Sequence, residues 1–435
     1  MNKTKTALYY RPNSATVDDE LFDDLAKKHP GRGRPSDVGM LVPDIAYLKI
    51  EDCDEEPPGR RPGVSERVPR PAIKVDGGPQ FSIDAFADGL RLRLNNRSTG
   101  WAFVINQNGQ EAISDAGGNA TVAGDLDGAG TILSARAFTP DTRVNVASVS
   151  KTITAVAVLR LLRATGKSVT SKIWPYLPAG WPVEASGVAD LEFRHLLTHR
   201  TGLTTQNAAF SQTLSDGGLQ TALLLGADPG APYAYRNANF ALFRLIIPAL
   251  WREAGNTAAN NDTDVGAAFF YAAYIIDQLF GEMGGAIGEN ASTSVLDDPP
   301  TRYYAAAGTA QGIEYPNWAL LAGAAGWHLS ARELAAFLAF ITYDDDVLDA
   351  ASRAQMDSLR LGWQPTGSYD GRFGDYRGHS GSIRSTVNGV TGNTRAGIMK
   401  FGIQVEAAFV ANSSILGVNA PVADLLADAF DAAWG

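Results

Sequence analysis

A serine and a lysine three positions apart, Ser148 and Lys151, lie in the stretch Asn145-Val146-Ala147-Ser148-Val149-Ser150-Lys151-Thr152, and a mostly apolar run over 153–162 follows. On a helix this spacing puts both side chains on one face, with β-carbons about 5–6 Å apart. A serine hydroxyl is a poor nucleophile until a base takes its proton. A lysine serves as that base only when burial or a neighbouring cation lowers its pKa. The apolar run predicts a helix buried on most sides. That gives the pair a dry setting, with first-turn N–H groups facing any developing negative charge. Ser-x-x-Lys also arises by chance, so its meaning depends on the rest of the chain.

Two later motifs carry groups that fit the pair. Tyr233-Ala234-Tyr235-Arg236-Asn237 precedes an apolar helical pattern. A phenol at Tyr235 beside a lysine ammonium is expected to ionise more easily and to shuttle a proton. The Asn237 amide would hold the lysine and a substrate carbonyl. Gly378-His379-Ser380-Gly381-Ser382 lies between glycine-rich turns and strand-like sequence. Glycine on an edge strand, here Gly381, lets a substrate backbone approach closely. The N–H of Ser382 would then join that of Ser148 as an oxyanion hole. His379, in a small-residue stretch that buries it poorly, would line the cleft. A Ser-His-Asp hydrolase centred on Ser380 is disfavoured, because the second glycine of a nucleophile elbow is missing. The run Leu196-Leu197-Thr198-His199-Arg200-Thr201-Gly202-Leu203 is read as a structural turn, with His199 a packed hydrogen-bonding residue rather than a base.

The elements that must position these groups follow from periodicity. Residues 82–94 are predicted helical, with Phe86, Leu90 and Leu94 on one face and Ser82 as N-cap. Residues 101–106 and 111–114 read as strands joined at Asn108-Gly109. The Ser148 helix runs to about Thr165, with Gly166 just beyond its end. Further helices are predicted over 191–197, 238–253 (with a kink or break at Pro248), 265–283 and 331–343, the last capped by Ser330. Residues 254–264 and 284–300 read as loops. Strands over 385–390 and 404–412 and a closing helix over 422–434 complete the chain. The expected class is α/β (α+β): one antiparallel sheet flanked by helices and built from both ends of the chain (81–145 and 375–435), with an all-helical lobe over about 146–374. Residues 1–80 hold ten of the 22 prolines and are expected to be an extended arm, with one short helix at 18–28.

The totals exclude several classes. A chain of 435 residues with net charge −10 and no Lys/Arg-rich cluster is expected to bind no nucleic acid. Cys53 is the only cysteine, and the acidic residues beside it disfavour a thiolate, so neither a disulfide framework nor a reactive thiol is expected. Residues 125–130 look faintly like a calcium loop, but the twelfth position is Arg136 and no helix precedes it; they are read as a turn. No signal peptide or membrane-spanning run is visible, and a cytoplasmic location is expected. The chemistry calls for no cofactor and no metal.

Taken together, residues 145–152, 196–203, 235–237, 325–337 and 378–381 stand in the order found in the serine beta-lactamase-like family, which the chain resembles over about 81–435. That family includes class C beta-lactamases, D,D-peptidases, D-aminopeptidases and family VIII carboxylesterases. The resemblance implies a beta-lactamase/transpeptidase-like fold, Ser148 as the acylated nucleophile, Lys151 and Tyr235 as a coupled base, and Asn237, His379, Gly381 and Ser382 as substrate-binding groups. His379 stands where beta-lactamases usually carry lysine. A histidine, mostly neutral at pH 7, holds an anion less firmly, so a neutral carboxylic ester is the expected substrate. A beta-lactam, or an amide or peptide of a D-amino acid, is the alternative within the same fold. A second departure is Arg236, where the family usually has a small residue; pointing inward, it would restore an anion site. A binding protein without catalysis is disfavoured, since every expected catalytic position holds a competent residue. The partner is thus a small ester or amide, and a homo-oligomer is compatible with the sequence.

Overall fold

The computed structural model describes residues 80–204, 214–288, 291–294, 296–297, 299–364, 373–418 and 421–435, together with the backbone of 370–371 and of three short strands before residue 80. Those three, Leu8–Pro12, Met40–Val42 and Ile45–Lys49, form an antiparallel sheet with Ile45–Lys49 in the middle. Strands of three to five residues are too short to show a readable alternation, so no sequence signal marks them. The helix expected at 18–28 lies outside the described residues.

The first helix among the described residues, α1 (Ile83–Leu94), starts as expected: the Ser82 hydroxyl accepts from Ala85 N at 3.1 Å, and Phe86, Leu90 and Leu94 are buried. It leads into β1 (Gly100–Gln107) and β2 (Gln110–Thr121). Asn108 and Gly109 both have positive φ, +55° and +74°, as the tight hairpin turn requires. After β3 (Arg136–Ala137), a short pair of β4 (Val144–Asn145) and β5 (His328–Leu329) brackets the helical lobe. The chain returns to the sheet through β6 (Arg377–Val387), β7 (Val390–Phe401) and β8 (Val405–Ala411). The six-stranded sheet has the antiparallel order β6-β7-β8-β1-β2-β3, so both ends of the chain build it and β6 lies at an edge. This is the expected fold class.

Both faces of the sheet are covered. Trp101, Phe103 and Ile105 of β1 point into one cluster with α1 and the closing helix α10 (Asp424–Asp431), where Phe401 and Phe430 stack at 3.9 Å. Ala102 and Val104, the alternate residues, face the second cluster with the helical lobe. That lobe contains α2 (Ser150–Ala164), α3 (Phe193–Leu197), α4 (Asp216–Leu224), α5 (Asn237–Ala241), α6 (Phe243–Glu253), α7 (Asp264–Ala273), α8 (Ala331–Tyr343) and α9 (Ala350–Leu359). The fully buried Arg244 of α6 pairs with Asp216 and Asp264, tying α4, α6 and α7 together. A capping box starts α8: Ser330 Oγ accepts from Glu333 N, and Glu333 returns the bond to Ser330 N.

Three expectations are corrected. The break within 238–253 falls at Leu242, whose carbonyl accepts from both Leu245 N and Ile246 N, while Pro248 lies inside α6. The helix continues past the proline because the buried residues on either side outweigh one lost hydrogen bond. The segment 265–283 is α-helical only to Ala273, then winds through a π-helical turn, Tyr274–Phe280, and a 3-10 turn, Gly281–Met283. The strand expected at 385–390 starts eight residues earlier, and all of β7 was missed. Glycines hid both. At Gly392 a Cβ would lie 2.5 Å from Ile313 Cγ1, and at Gly397 2.4 Å from Phe409 Cε1. These glycines serve close packing, whereas sequence rules read them as turns.

The calcium-like segment is a turn, as expected, and its Asp125 is buried against Arg302 at 3.0 Å. Among the described residues no three His, Cys, Asp or Glu side chains gather to hold a metal ion, and no helix is long and apolar enough to cross a membrane.

Candidate active site

The Ser148 segment is not yet α-helical. Residues Ala147–Val149 form a 3-10 turn that feeds into α2. Ala147 has φ +51°, a left-handed conformation that costs a residue with a Cβ about 1–2 kcal/mol. Neighbours hold the turn in place. Asn145 Oδ1 accepts from Ala147 N at 2.9 Å, Thr394 Oγ1 donates to Asn145 O at 2.8 Å, and Val146 N donates to Trp327 O at 2.8 Å. Edge strand β6 presses on the same turn. A Cβ at Gly381 would lie 2.2 Å from Val146 O. Gly381 is therefore glycine because the turn needs the space; the sequence reading had assigned that space to a substrate backbone.

Lys151 sits one turn on, fully buried. Its ammonium donates to Ser148 Oγ at 3.1 Å, Asn237 Oδ1 at 2.8 Å and Ala324 O at 2.6 Å. All three acceptors are neutral, and burial pushes the Lys151 pKa well below its ordinary value. The Ala324 carbonyl was missed by the sequence reading because a main-chain acceptor leaves no residue signature. It is presented by a loop with Gly323 at φ +91° and Gly326 at φ +108°.

Tyr235 and Asn237 come from the start of α5, as their motif suggested. The Tyr235 hydroxyl is hydrogen-bonded to the Ser148 side chain, and Lys151 Nζ lies 5.0 Å from the centre of its ring. Here the expectation of an easily ionised phenol fails. The amine faces the ring, and burial raises the phenol pKa above its usual range despite the bond to Ser148. Tyr235 is thus a protonated donor at neutral pH.

His379, on β6, is buried rather than exposed in its small-residue stretch. Its Nδ1 lies 2.8 Å from Ser380 O, an oxygen that can only accept, so Nδ1 carries the hydrogen. Burial, and then the Lys151 charge, lower its pKa to about 3, so the ring is neutral. Its ring centre is 6.4 Å from that of Tyr235. Further along β6, Gly378 O accepts from Gln364 N and Ser380 N donates to Gln364 Oε1, so these residues turn their backbone groups off the sheet edge. Strand alternation gives the N–H of Ser382 the same outward direction. Arg236 is exposed, and its guanidinium donates to Tyr235 O at 3.1 Å. The structure therefore gathers Ser148, Lys151, Tyr235, Asn237 and His379 into one cluster, with Gly381 against its nucleophile turn and Ser382 next along the edge.

A sequence profile described as Beta-lactamase matches residues 84–427. The chain belongs to the Beta-lactamase family. Comparison with curated proteins gives no match. Solved structures share the family fold at low identity. The class C beta lactamase from Rhodobacter sphaeroides is 16% identical with a TM-score of 0.55, over 80% of this chain and 98% of that one. A Beta-lactamase/D-alanine Carboxypeptidase from Yersinia pestis, also 16% identical with a TM-score of 0.55, aligns over 81% of this chain and 97% of its own. The D-amino acid amidase from Ochrobactrum anthropi SV3 is 14% identical with a TM-score of 0.54, over 80% and 98%.

Proposed function

We propose that this family member is a serine hydrolase that cleaves neutral carboxylic esters through an acyl-enzyme on Ser148. The observation that carries the reading is the setting of Lys151. When the amine is neutral, Asn237 Oδ1 and Ala324 O hold its two N–H bonds, and its lone pair faces Ser148 Oγ. Lys151 then takes the Ser148 proton as Oγ bonds to the ester carbonyl carbon. The N–H groups of Ser148 and Ser382 receive the oxyanion. Collapse expels the alkoxide, to which Tyr235 gives its hydroxyl proton, and the Lys151 ammonium returns to the phenolate the proton it took from Ser148. Water then repeats the steps on the acyl-enzyme and frees the acid.

The preference for a neutral ester rests on charge. His379 is a neutral ring where a lysine would offer an ammonium, and Arg236 is turned outward onto a backbone carbonyl. The alternative, hydrolysis of a beta-lactam or of a D-amino acid amide or peptide, draws support from the beta-lactamase, carboxypeptidase and amidase among the similar structures. A panel of p-nitrophenyl esters, nitrocefin and D-alanyl amides separates the two. Ester turnover well above the others is the expected result; fast nitrocefin or amide turnover with no ester cleavage selects the alternative.

A further inference from the structure

The turn after α3 carries His199, which the acyl-transfer steps above do not use. It is buried, with φ +55°, and its contacts converge on the segment that supplies Tyr235. Its carbonyl accepts from Ala234 N at 2.9 Å, and its Nδ1 accepts from Arg236 N at 3.2 Å. One residue thus clamps the backbone on both sides of Tyr235. Its ring also lies 4.4 Å from the Tyr235 ring, 5.1 Å from Phe240 and 5.9 Å from Tyr233. Asn239, two residues beyond the lysine's acceptor Asn237, places Nδ2 3.1 Å from the same Nδ1. Because Nδ1 accepts a backbone N–H, the ring hydrogen is on Nε2.

We infer that His199 is the positioning residue of the proposed base, fixing the Tyr235 phenol on Ser148 and the Asn237 amide on Lys151 through its clamp on residues 234–236. The inference rests on the function proposed above. The ring must stay neutral to accept from Arg236 N, and its surroundings keep it so. Burial, then the neighbouring Lys151 and His379, hold its pKa well below the ordinary value. Tyr233 and Tyr235 on the loop, Lys151 on α2 and His379 on β6 are the titratable groups around it, and no carboxylate is among its described contacts. A histidine that only filled space would need no acceptor aimed at the residue next to Tyr235.

Two variants separate the clamp from packing. His199→Phe keeps a ring against Tyr235 but removes the acceptor. His199→Asn loses the ring, tolerates the positive φ, and offers an amide oxygen near the position of Nδ1. The readouts are kcat and KM for a p-nitrophenyl ester, the rate at which a fluorophosphonate labels Ser148, and the pH profile of kcat/KM. His199→Phe is expected to lose about 10- to 100-fold in kcat and labelling rate, with KM within about threefold, because the reacting groups are misplaced rather than removed. Its pH profile should shift, and His199→Asn should recover both the rate and the profile. A folded His199→Phe with parental rates and profile overturns the inference, as does a folded His199→Asn no better than His199→Phe. Should His199→Phe not fold, His199→Asn decides alone: a parental profile upholds the clamp, and a lost rate at unchanged thermal stability overturns it. A parent enzyme that is not labelled on Ser148 removes the underlying function and the inference with it. A labelled parent with indifferent variants removes the inference alone.

Discussion

Lys151, His199 and His379 are three basic side chains in one buried cluster, each with its pKa held down by burial. The charge of any one disfavours charging the others, so the cluster favours a single positive charge at most and titrates as a unit. This sets the pH behaviour. Ester kcat/KM should fall on the acid side as Lys151 takes up a proton, with a midpoint well below the ordinary lysine value of 10.5. Replacing the amine, as in Lys151→Met, should lower kcat/KM by about 100- to 10,000-fold while the thermal melt still shows a folded protein. A variant with near-parental turnover would remove Lys151 from the mechanism. Stability depends on pH with the same sign for the histidine. His379 binds a proton in the unfolded chain below pH 6.5 but in the folded chain only below about 3. The unfolded state therefore gains protons between those values, and stability is lost as pH falls through that window, by on the order of a few kcal/mol. Urea titrations at several pH values should show a shallower loss in His379→Asn; an identical slope would contradict the buried, neutral assignment.

At the scale of elements, the site depends on edge strand β6 meeting the 3-10 turn before α2. Gly381→Ala tests that meeting directly. Its methyl carbon would fall 2.2 Å from Val146 O, so the strand or the turn must move. Overpacking of this kind costs about 1–3 kcal/mol. The denaturation midpoint should drop accordingly, and fluorophosphonate labelling should slow as Ser148 shifts. An unchanged midpoint and labelling rate would mean that the contact is relieved elsewhere. The same elements show what was legible in the sequence. Helix α1, the Asn108-Gly109 hairpin and the capped α8 were readable because each announces itself locally, through a cap, a period or a turn pair. The glycine-bearing β7 and the extended start of β6 were not, since their glycines answer to side chains far away in sequence. The site residues were readable as types at spacings. Their partners Ala324 O and Asn145 Oδ1, and the strained Ala147, come into view only when the chain is folded.

Across the whole molecule, both core clusters and the six-stranded sheet are built from residues after 80 among those described. The two ends of this unit close on each other: Gln80 N donates to Gly435 O at 2.8 Å, Gly435 N returns to Gln80 O at 3.1 Å, and Phe81 bridges Trp434. We expect residues 79–435 to fold and act alone. Deleting residues 1–78 should leave the melting temperature and ester kcat little changed, whereas a chain that also lacks Gln80–Phe81 should melt lower. Loss of activity on the first deletion would instead assign the leading segment to the cleft. The central claim is covalent chemistry at Ser148, and intact-protein mass spectrometry with peptide mapping tests it most directly. After rapid quenching during turnover of a p-nitrophenyl ester, the protein should gain the mass of one acyl group on the peptide containing Ser148, and Ser148→Ala should show neither adduct nor turnover. An adduct on another residue, or undiminished turnover by Ser148→Ala, would contradict the claim.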